Sequence, residues 1–290
     1  MPGIRDDEPR QGPQGSAAAP EVIAEIRSLH DRIDELHHLV EQRLSTDGGH
    51  AGVWLHDAAG VVRQRDPLPA WRRETEGELR WPVAFTTAVA IALQVAVPDK
   101  LVLVSPSWIL PVTQAALLIV LVTANPRRIN RESKAMRSLS LTLGALLTLA
   151  NGWSVARLAI GITQGTMHQT PGQLLVTGAV IWLTNVVVFG LWYWEFDRGG
   201  PVARALNAGN RYPDFQFPQM VSPTGMVPPD WEPAYLDYLY LAFTNAAAFS
   251  PTDVMPMSRW AKVAMTAQSL ISIVTVALVV SRAVNILPNG

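Results

Sequence analysis

Residues 237–262 read DYLYLAFTNAAAFSPTDVMPMSRWAK. An apolar, aromatic helix pattern over 235–248 breaks at a polar turn, 249–256, and a long apolar pattern follows at 258–287. The first pattern is too short to cross a membrane, which takes about 20 helical residues. Irregular backbone at membrane depth is tolerated only where protein or water covers it. The stretch therefore predicts a re-entrant helix, a turn and a final transmembrane helix.

The composition of the chain places it in a membrane. Of its 290 residues, 49% are hydrophobic and only 16% are charged, whereas soluble domains carry about 25% charged residues. A net charge of -1 gives no sign of a nucleic-acid partner. The absence of cysteine excludes thiol chemistry and Cys-type zinc sites. Since no catalytic motif occurs either, we expect neither an enzyme nor a cofactor or metal site.

Five apolar segments carry the membrane signal, and they lie at 83–97, 105–124, 138–162, 172–194 and 258–287. Most of them reach the length of a transmembrane helix. The sequence therefore predicts an all-α integral membrane protein with about five transmembrane helices plus the re-entrant helix. The bilayer is the expected environment, and the plasma membrane the expected location of this multi-pass chain.

The chain divides into an N-terminal part and a C-terminal module. We expect disorder over 1–20, a coiled coil over 21–45, a cytoplasmic linker over 46–81 and the first transmembrane helices over 82–162. The C-terminal module, 163–287, consists of an outer helix at 172–194, a loop at 195–233, a pore helix at 235–248, the turn at 249–256 and an inner helix at 258–287.

A heptad pattern defines the predicted coiled coil. Its a and d positions are Val22, Ile26, Leu29, Ile33, Leu36 and Val40. Such a stripe predicts self-association through a coiled coil. The alternative is a single amphipathic helix that lies on its own protein or on lipid.

The turn and its flanks resemble the pore module of potassium channels. That module has a short pore helix, a five-residue filter, an aspartate, a proline, a hydroxyl residue and a lining helix. The positions that match the filter are Ala248, Phe249, Ser250, Pro251 and Thr252, and those that match the following motif are Asp253, Pro256 and Ser258. With YWEFDRGGP and DFQFPQM upstream, the chain is also similar to a bacterial membrane-protein family related to that pore. The resemblance implies a homotetramer around a central axis that passes small ions.

The filter positions depart from the potassium-channel pattern. Ser250 and Thr252 stand where that filter has glycines, which allow backbone angles that other residues resist. Pro251 fixes its own φ and has no N–H group. The chain is therefore expected to form an ion-channel-like pore that does not select potassium, in which Phe249 to Thr252 surround the axis and Asp253 forms a carboxylate ring. The alternative is a capping turn in which Asp253 or Ser258 accepts N–H bonds from the final helix and Pro256 occupies the first turn of that helix.

Four polar residues share one stripe of the final helix, namely Gln268, Ser272, Thr275 and Arg282. Polar residues in a membrane helix face a bundle interior or a water path. One interpretation is a hydrated pore lining, and the other is hydrogen bonding between helices with Arg282 reaching the headgroups.

The basic segments predict a cytoplasmic N-terminus, because Lys and Arg accumulate on the cytoplasmic side. They are the collar WRRETEGELRW at 71–81 and NPRRINRESKAMR at 125–137. If both basic segments are cytoplasmic, the pore-like turn faces outwards only if residues 235–249 cross the membrane or one earlier apolar segment does not cross it. Otherwise the re-entrant loop is inverted relative to that of a potassium channel. The predicted function is a degenerate ion channel, and the alternative is a non-conducting scaffold or sensor that keeps the pore fold for oligomerisation.

Overall fold

A computed structural model of the chain describes residues 69–129, 134–167, 169–209, 212–222, 226–247 and 253–286. They belong to one compact unit, Leu68–Gly290. The predicted coiled coil, with Val22, Ile26, Leu29, Ile33, Leu36 and Val40, lies outside the described residues. So do all five residues at the filter positions, Ala248, Phe249, Ser250, Pro251 and Thr252.

The described structure is mostly helical. Its α-helices are α1 (Arg80–Val95), α2 (Ile109–Ala124), α3 (Lys134–Thr163), α4 (Pro171–Phe196), α5 (Pro201–Ala205), α6 (Tyr235–Ala247) and α7 (Arg259–Asn285). Single 3-10 turns occur at Ala70–Arg72, Asp99–Leu101, Asp197–Gly199 and Pro218–Met220. The short strands are β1 (Glu78–Leu79), β2 (Arg128–Ile129), β3 (Phe215–Gln216) and β4 (Met255–Pro256), and β1 pairs with β2 and β3 with β4, both antiparallel.

Local sequence sets the limits of the two longest C-terminal helices. The Thr170 hydroxyl and the Gln173 side chain form a capping box at the start of α4, and Pro171 occupies its first turn. Ser258 caps α7 by accepting a hydrogen bond from the Ala261 N–H. Gly200, with φ of 106°, adopts a backbone conformation that favours glycine and separates α4 from α5.

Three described helices are long and apolar enough to cross a membrane by length and composition. They are α3 (Lys134–Thr163), α4 together with the 3-10 turn that follows it (Pro171–Gly199) and α7 (Arg259–Asn285). Helix α2 (Ile109–Ala124) is apolar but shorter. The prediction of a helical membrane protein is thus confirmed at this level.

The helices run between two ends of the bundle. At one end, which we call the cap end, β1 pairs with β2 and so brings the start of α1 beside the residues that follow α2. The start of α3 lies there too, because the Ser140 hydroxyl donates to Glu195 near the end of α4. At the opposite end, the far end, the Ser154 hydroxyl of α3 donates to the Leu101 carbonyl in the connection between α1 and α2. The α1–α2 hairpin therefore starts and finishes at the cap end.

Helix α4 lies at the centre of the C-terminal half, where it packs against α6 and α7 and also against α1 and α3. Two glycines allow close contact. A Cβ atom on Gly178 would lie 2.8 Å from the Val279 methyl carbons, and one on Gly190 would lie 3.3 Å from the Leu239 Cα. These distances show that α7 and α6 approach the α4 backbone directly.

The structure differs from the sequence-based expectation over the linker. Residues 69–81 are the described end of the linker expected over 46–81, but Trp71 and Arg80 are buried there and Glu78 belongs to a strand. Glu78 pairs with Arg204, which lies 126 residues further along the chain. The end of the expected linker is therefore held among the segments at the cap end, which together we call the cap. Helix α1 accordingly begins at Arg80, three residues before the expected apolar segment at 83–97.

Candidate functional site

The candidate site is the short helix α6 with the groups that hold it. Its first residue is fixed at the cap end, because the Tyr235 N–H donates to Glu78 Oε2 at 3.0 Å. Near its last turn, Asn245 Nδ2 donates to Gln268 Oε1 at 2.7 Å. Gln268 lies nine residues into α7, which is about 13 Å along the axis. Helix α6 therefore runs from the cap end into the bundle.

The chain returns to the cap end after α6. Strand β4 pairs Met255 with Gln216 and Pro256 with Phe215, and both partners follow α5 in the cap. The Met257 N–H also donates to the Asp214 carbonyl at 2.8 Å. The segment that contains α6 thus starts and finishes at the same end of the bundle, between the long helices α4 and α7.

A hydrogen-bond network fixes the inner end of α6. Gln268 Oε1 accepts from the Tyr193 hydroxyl and from Asn245 Nδ2, both at 2.7 Å, and Gln268 Nε2 donates to the Ala242 carbonyl at 2.8 Å. The Ser269 hydroxyl donates to the Asn245 carbonyl at 3.1 Å. The Gln268 side chain is fully buried. This network joins three helices, α4, α6 and α7.

The remaining polar residues of the stripe lie in different surroundings. Asn185 Nδ2 of α4 donates to the Ser272 hydroxyl at 3.1 Å, and both residues are buried. The Thr275 hydroxyl is also buried and donates to the Ile271 carbonyl of its own helix. Arg282 is partly buried near the far end of α7. Within the chain, Gln268, Ser272 and Thr275 are thus buried against protein, and the first two are hydrogen-bonded to other helices, as in the interhelical hydrogen-bonding interpretation.

The exposed faces of α7 are aliphatic over most of their length. Their large exposed side chains are Val263, Leu270, Ile273, Val274, Val276, Val280 and Val284. Thr266 is exposed as well, but its hydroxyl donates to the Lys262 carbonyl of the same helix. A surface of this kind suits lipid or another apolar helix and offers little to a hydrated ion.

Buried charges hold the cap together. Arg204 pairs with Glu78 at 2.9 Å, and the two side chains are 6% and 10% exposed. Glu78 also accepts from the Trp194 indole, and Arg204 also donates to the Trp194 and Asp197 carbonyls. Burial lowers the pKa of Arg204, but the negative groups around it outweigh this effect and raise the pKa overall. Arg204 therefore stays charged at any ordinary pH.

Asp197 links the cap to α6. Its carboxylate accepts from the Tyr238 hydroxyl of α6 at 2.5 Å and from the Asp214 N–H at 2.8 Å. The Asp214 carboxylate accepts in turn from the Trp260 indole of α7 at 2.7 Å and from the Arg198 N–H at 3.0 Å. The YWEFDRGGP and DFQFPQM segments thus meet in the structure.

Asp253, Pro256 and Ser258 are the described residues of the potassium-channel-like motif. Asp253 is exposed. Ser258 caps α7, as the capping alternative expected, but Pro256 does not occupy the first turn of that helix, because α7 begins at Arg259 and Pro256 belongs to β4. A proline tolerates this edge position because its missing N–H is not needed in a two-residue ladder.

Several residues of the site were not singled out from the sequence. They are Glu78, Asp197, Arg204, Asp214 and Asn245. Asn245 could have been found as an isolated amide in an apolar helix, which signals a buried partner. Asp197 and Arg204 carry no local signal of burial, because their partners lie far along the chain.

No group of three or more metal-ligating side chains occurs among the described residues. No family model, no curated protein and no solved structure matches this chain. The resemblance to the potassium-channel pore module therefore stays a prediction.

Proposed function

We propose that this chain is a non-conducting membrane scaffold or sensor that keeps an ion-channel-like arrangement of helices. The observation that carries the proposal is that the polar residues on one face of α7 are bonded to neighbouring helices of the same chain. Gln268 and Ser272 are hydrogen-bonded to side chains of α4 and α6 within the protomer. The exposed faces of α7, built around residues such as Ile273 and Val280, are aliphatic. Aliphatic constrictions exclude water and ions.

The proposed topology has five crossing helices and one re-entrant helix. Helices α1, α2, α3, α4 and α7 would cross, because each runs between the cap end and the far end. Helix α6 has 13 residues, about 20 Å of helix, which is too short to span the hydrocarbon layer. Its start and the following strand β4 are both at the cap end, which supports a re-entrant course.

The basic residues support a cytoplasmic cap. The basic residues of the cap-end segments include Arg72, Arg73, Arg127, Arg128, Lys134, Arg137 and Arg259. Those at the far end include Lys100, Arg157 and Arg282. Lys and Arg accumulate on the cytoplasmic side. The N-terminus would then be cytoplasmic, and the re-entrant helix would enter from the cytoplasm. This is the inverted alternative, opposite to the orientation of a potassium channel.

We further propose that the protein assembles as a homotetramer. The aliphatic faces of α7 would be covered by other protomers or by lipid, and the predicted coiled coil at 21–45 would reinforce the assembly. Mass measurement of the purified protein in detergent checks the number of chains. A monomer at all working concentrations would remove this part of the proposal and leave the non-conducting function standing.

Ion flux tests the proposed function. The full chain is reconstituted into liposomes, with a known potassium channel reconstituted in parallel as the positive control. We expect potassium, sodium and chloride flux equal to that of empty vesicles over the whole voltage range. Unitary currents that require the protein would refute a non-conducting role.

Weakly selective conduction is the second candidate function, and it rests on the exposure of Asp253 at the end of the turn. A ring of such carboxylates attracts cations. If currents occur, Asp253→Asn should shift their reversal potential towards anion permeation. An unchanged reversal potential would show that Asp253 does not face the ion path.

A further inference from the structure

A cleft of about 640 Å³ opens at the cap end of the described structure. Its wall is formed by the 3-10 turn before β1, the segment that leads into β3, and the start of α7. The volume falls in the range of about 300–1,000 Å³ that is typical of ligand sites. The Gln268 network at the inner end of α6 includes no residue of this cleft.

Two nitrogen donors in the cleft wall have no hydrogen-bond partner among the described residues. They are Trp71 Nε1 and Arg72 Nε, both shielded from solvent. Trp71 is 8% exposed, and the centre of its ring lies 4.5 Å from the guanidinium carbon of Arg72 and 5.6 Å from that of Arg198. Stacking of this kind fixes the orientation of both groups. A buried N–H without a partner costs free energy that an acceptor on a ligand would recover.

The carboxylate of Asp214, the acidic side chain in the cleft wall, is already hydrogen-bonded to protein. Both Asp214 carboxylate oxygens accept hydrogen bonds, one from the Trp260 indole and one from the Arg198 N–H. Asp214 thus offers a cation little that is not already satisfied. The two buried atoms of the cleft wall without a partner, Trp71 Nε1 and Arg72 Nε, are donors, which favours a molecule rich in acceptor oxygens.

The start of α7 adds to this preference. Ser258 lies in the cleft wall, and its oxygen accepts from the Ala261 N–H at 3.3 Å, so its hydroxyl hydrogen remains to donate to a ligand. Helix α7 has 27 residues, and the positive end of its dipole faces the same region. Phosphate groups bind at such helix starts.

The rim of the cleft is apolar and exposed. Tyr212, Val221 and Met257 are 74%, 64% and 55% exposed. Exposed apolar residues beside a polar pocket mark a surface for lipid or another apolar partner. An anionic group in the cleft and an apolar body along this rim would match both surfaces.

We propose that the cleft binds the phosphate group of an anionic phosphoester, with Arg72, Trp71 Nε1 and the Ser258 hydroxyl as its donors. The same chemistry is offered by an anionic phospholipid headgroup and by a soluble phosphate. The apolar rim favours the phospholipid. The site is independent of ion conduction, so the two proposals stand or fall separately.

Calorimetric titration of the full chain in maltoside micelles, which carry no phosphate, tests the proposal. The probes are short-chain phosphatidylglycerol, glycerol 3-phosphate and inorganic phosphate. We expect saturable binding of phosphatidylglycerol. Tighter binding of phosphatidylglycerol than of the two soluble probes assigns the site to lipid, and the reverse order assigns it to a free phosphate.

Three variants separate the site from general attraction to a basic surface. Arg72→Gln should weaken binding about tenfold or more, since a charge-assisted hydrogen bond to phosphate is lost. Trp71→Phe keeps the stacked ring and should weaken binding several-fold. The control is Arg259→Gln, which removes the same charge from an exposed position outside the cleft wall and should leave affinity within about twofold.

Two outcomes would overturn the proposal. One is the absence of saturable binding of all three probes by the folded protein. The other is an equal loss of affinity in Arg72→Gln and Arg259→Gln, which would mean diffuse electrostatic attraction. Thermal unfolding of each variant shows whether the fold is retained, and Arg72→Lys, which restores the charge, should recover part of the affinity.

Discussion

Replacing Gln268 by Leu tests whether the α7 stripe faces protein or water. Leu is similar in volume but cannot form the three hydrogen bonds that Gln268 makes to Tyr193, Asn245 and the Ala242 carbonyl. Side-chain hydrogen bonds between membrane helices contribute about 0.6 kcal/mol each on average. We therefore expect Gln268→Leu to reduce the free energy of unfolding by about 2 kcal/mol.

The assay is unfolding of the purified protein in mixed micelles of increasing SDS content, followed by the fluorescence of its 10 tryptophans. Thr266→Val is the matched control, because it also removes a polar group from α7 but from an exposed position bonded only within the helix. We expect the control to lie within about 0.5 kcal/mol of the wild type.

A double-mutant cycle with Asn245→Ala identifies the partner. Residues in one hydrogen-bond network show interaction energies of about 0.5 kcal/mol or more. If Gln268 instead faced water in a pore, Gln268→Leu would be neutral or stabilising and would not couple to Asn245. That result would refute the burial argument and reopen the pore-lining interpretation.

Three further predictions concern the cap and the helix contacts. Arg204→Met should lower the free energy of unfolding by about 3 kcal/mol or more, because it leaves Glu78 buried without its cation. Its control is Arg128→Met at the exposed pair with Glu76, which should change the free energy of unfolding by under about 1 kcal/mol. Gly178→Ala should destabilise the protein by about 1–3 kcal/mol because its Cβ would overlap Val279, and adding Val279→Ala should restore part of the loss in the same unfolding assay. Burial raises the pKa of Glu232 in the folded state, and a hydrogen bond with Thr75 opposes this shift in part. The contribution of Glu232 to stability is therefore present below about pH 4 and is lost as pH rises through the folded pKa. Glu232→Gln should therefore flatten the stability–pH curve above that pH, and a curve with unchanged slope would contradict this.

The helices of the C-terminal half could be placed from sequence because membrane helices need long apolar runs. The expected segments at 172–194 and 258–287 correspond to Pro171–Phe196 and Arg259–Asn285. Helix α6 was also expected, at 235–248, and occupies Tyr235–Ala247. Length, apolar composition and a break at a proline-containing turn were sufficient for this part of the fold.

The cap could not be predicted in the same way. Glu78 and Arg204 are separated by 126 residues, and a charged residue in a polar segment looks the same whether it is solvated or paired. The Pro- and Gly-rich loop at 195–233 suggested an irregular connection, yet Asp197 and Asp214 in it are buried and bonded to α6 and α7. Only the spatial arrangement of distant segments reveals these partners.

Helical spacing identified one face of α7 but not what that face contacts. Gln268, Ser272 and Thr275 are buried on the same side of the helix, as their spacing indicated. Polar residues on one face serve equally well for a water path and for contact with another helix. Tyr193 and Asn185 on α4 supply donors to Gln268 and Ser272 at 2.7 and 3.1 Å, which favours contact with another helix.

The proposed anion cleft and the short helix α6 share an unbroken set of contacts. Asp214 lies in the cleft wall and donates its N–H to Asp197, whose carboxylate also accepts from the Tyr238 hydroxyl of α6. The other end of α6 is bonded through Asn245 to Gln268 of α7. We therefore expect a ligand that orders the cleft to act, through Asp214, on Asp197, which anchors α6. This arrangement suits a sensor better than a conduit, because the polar atoms connect the cap to the helix interior and leave the outer faces of α7 aliphatic.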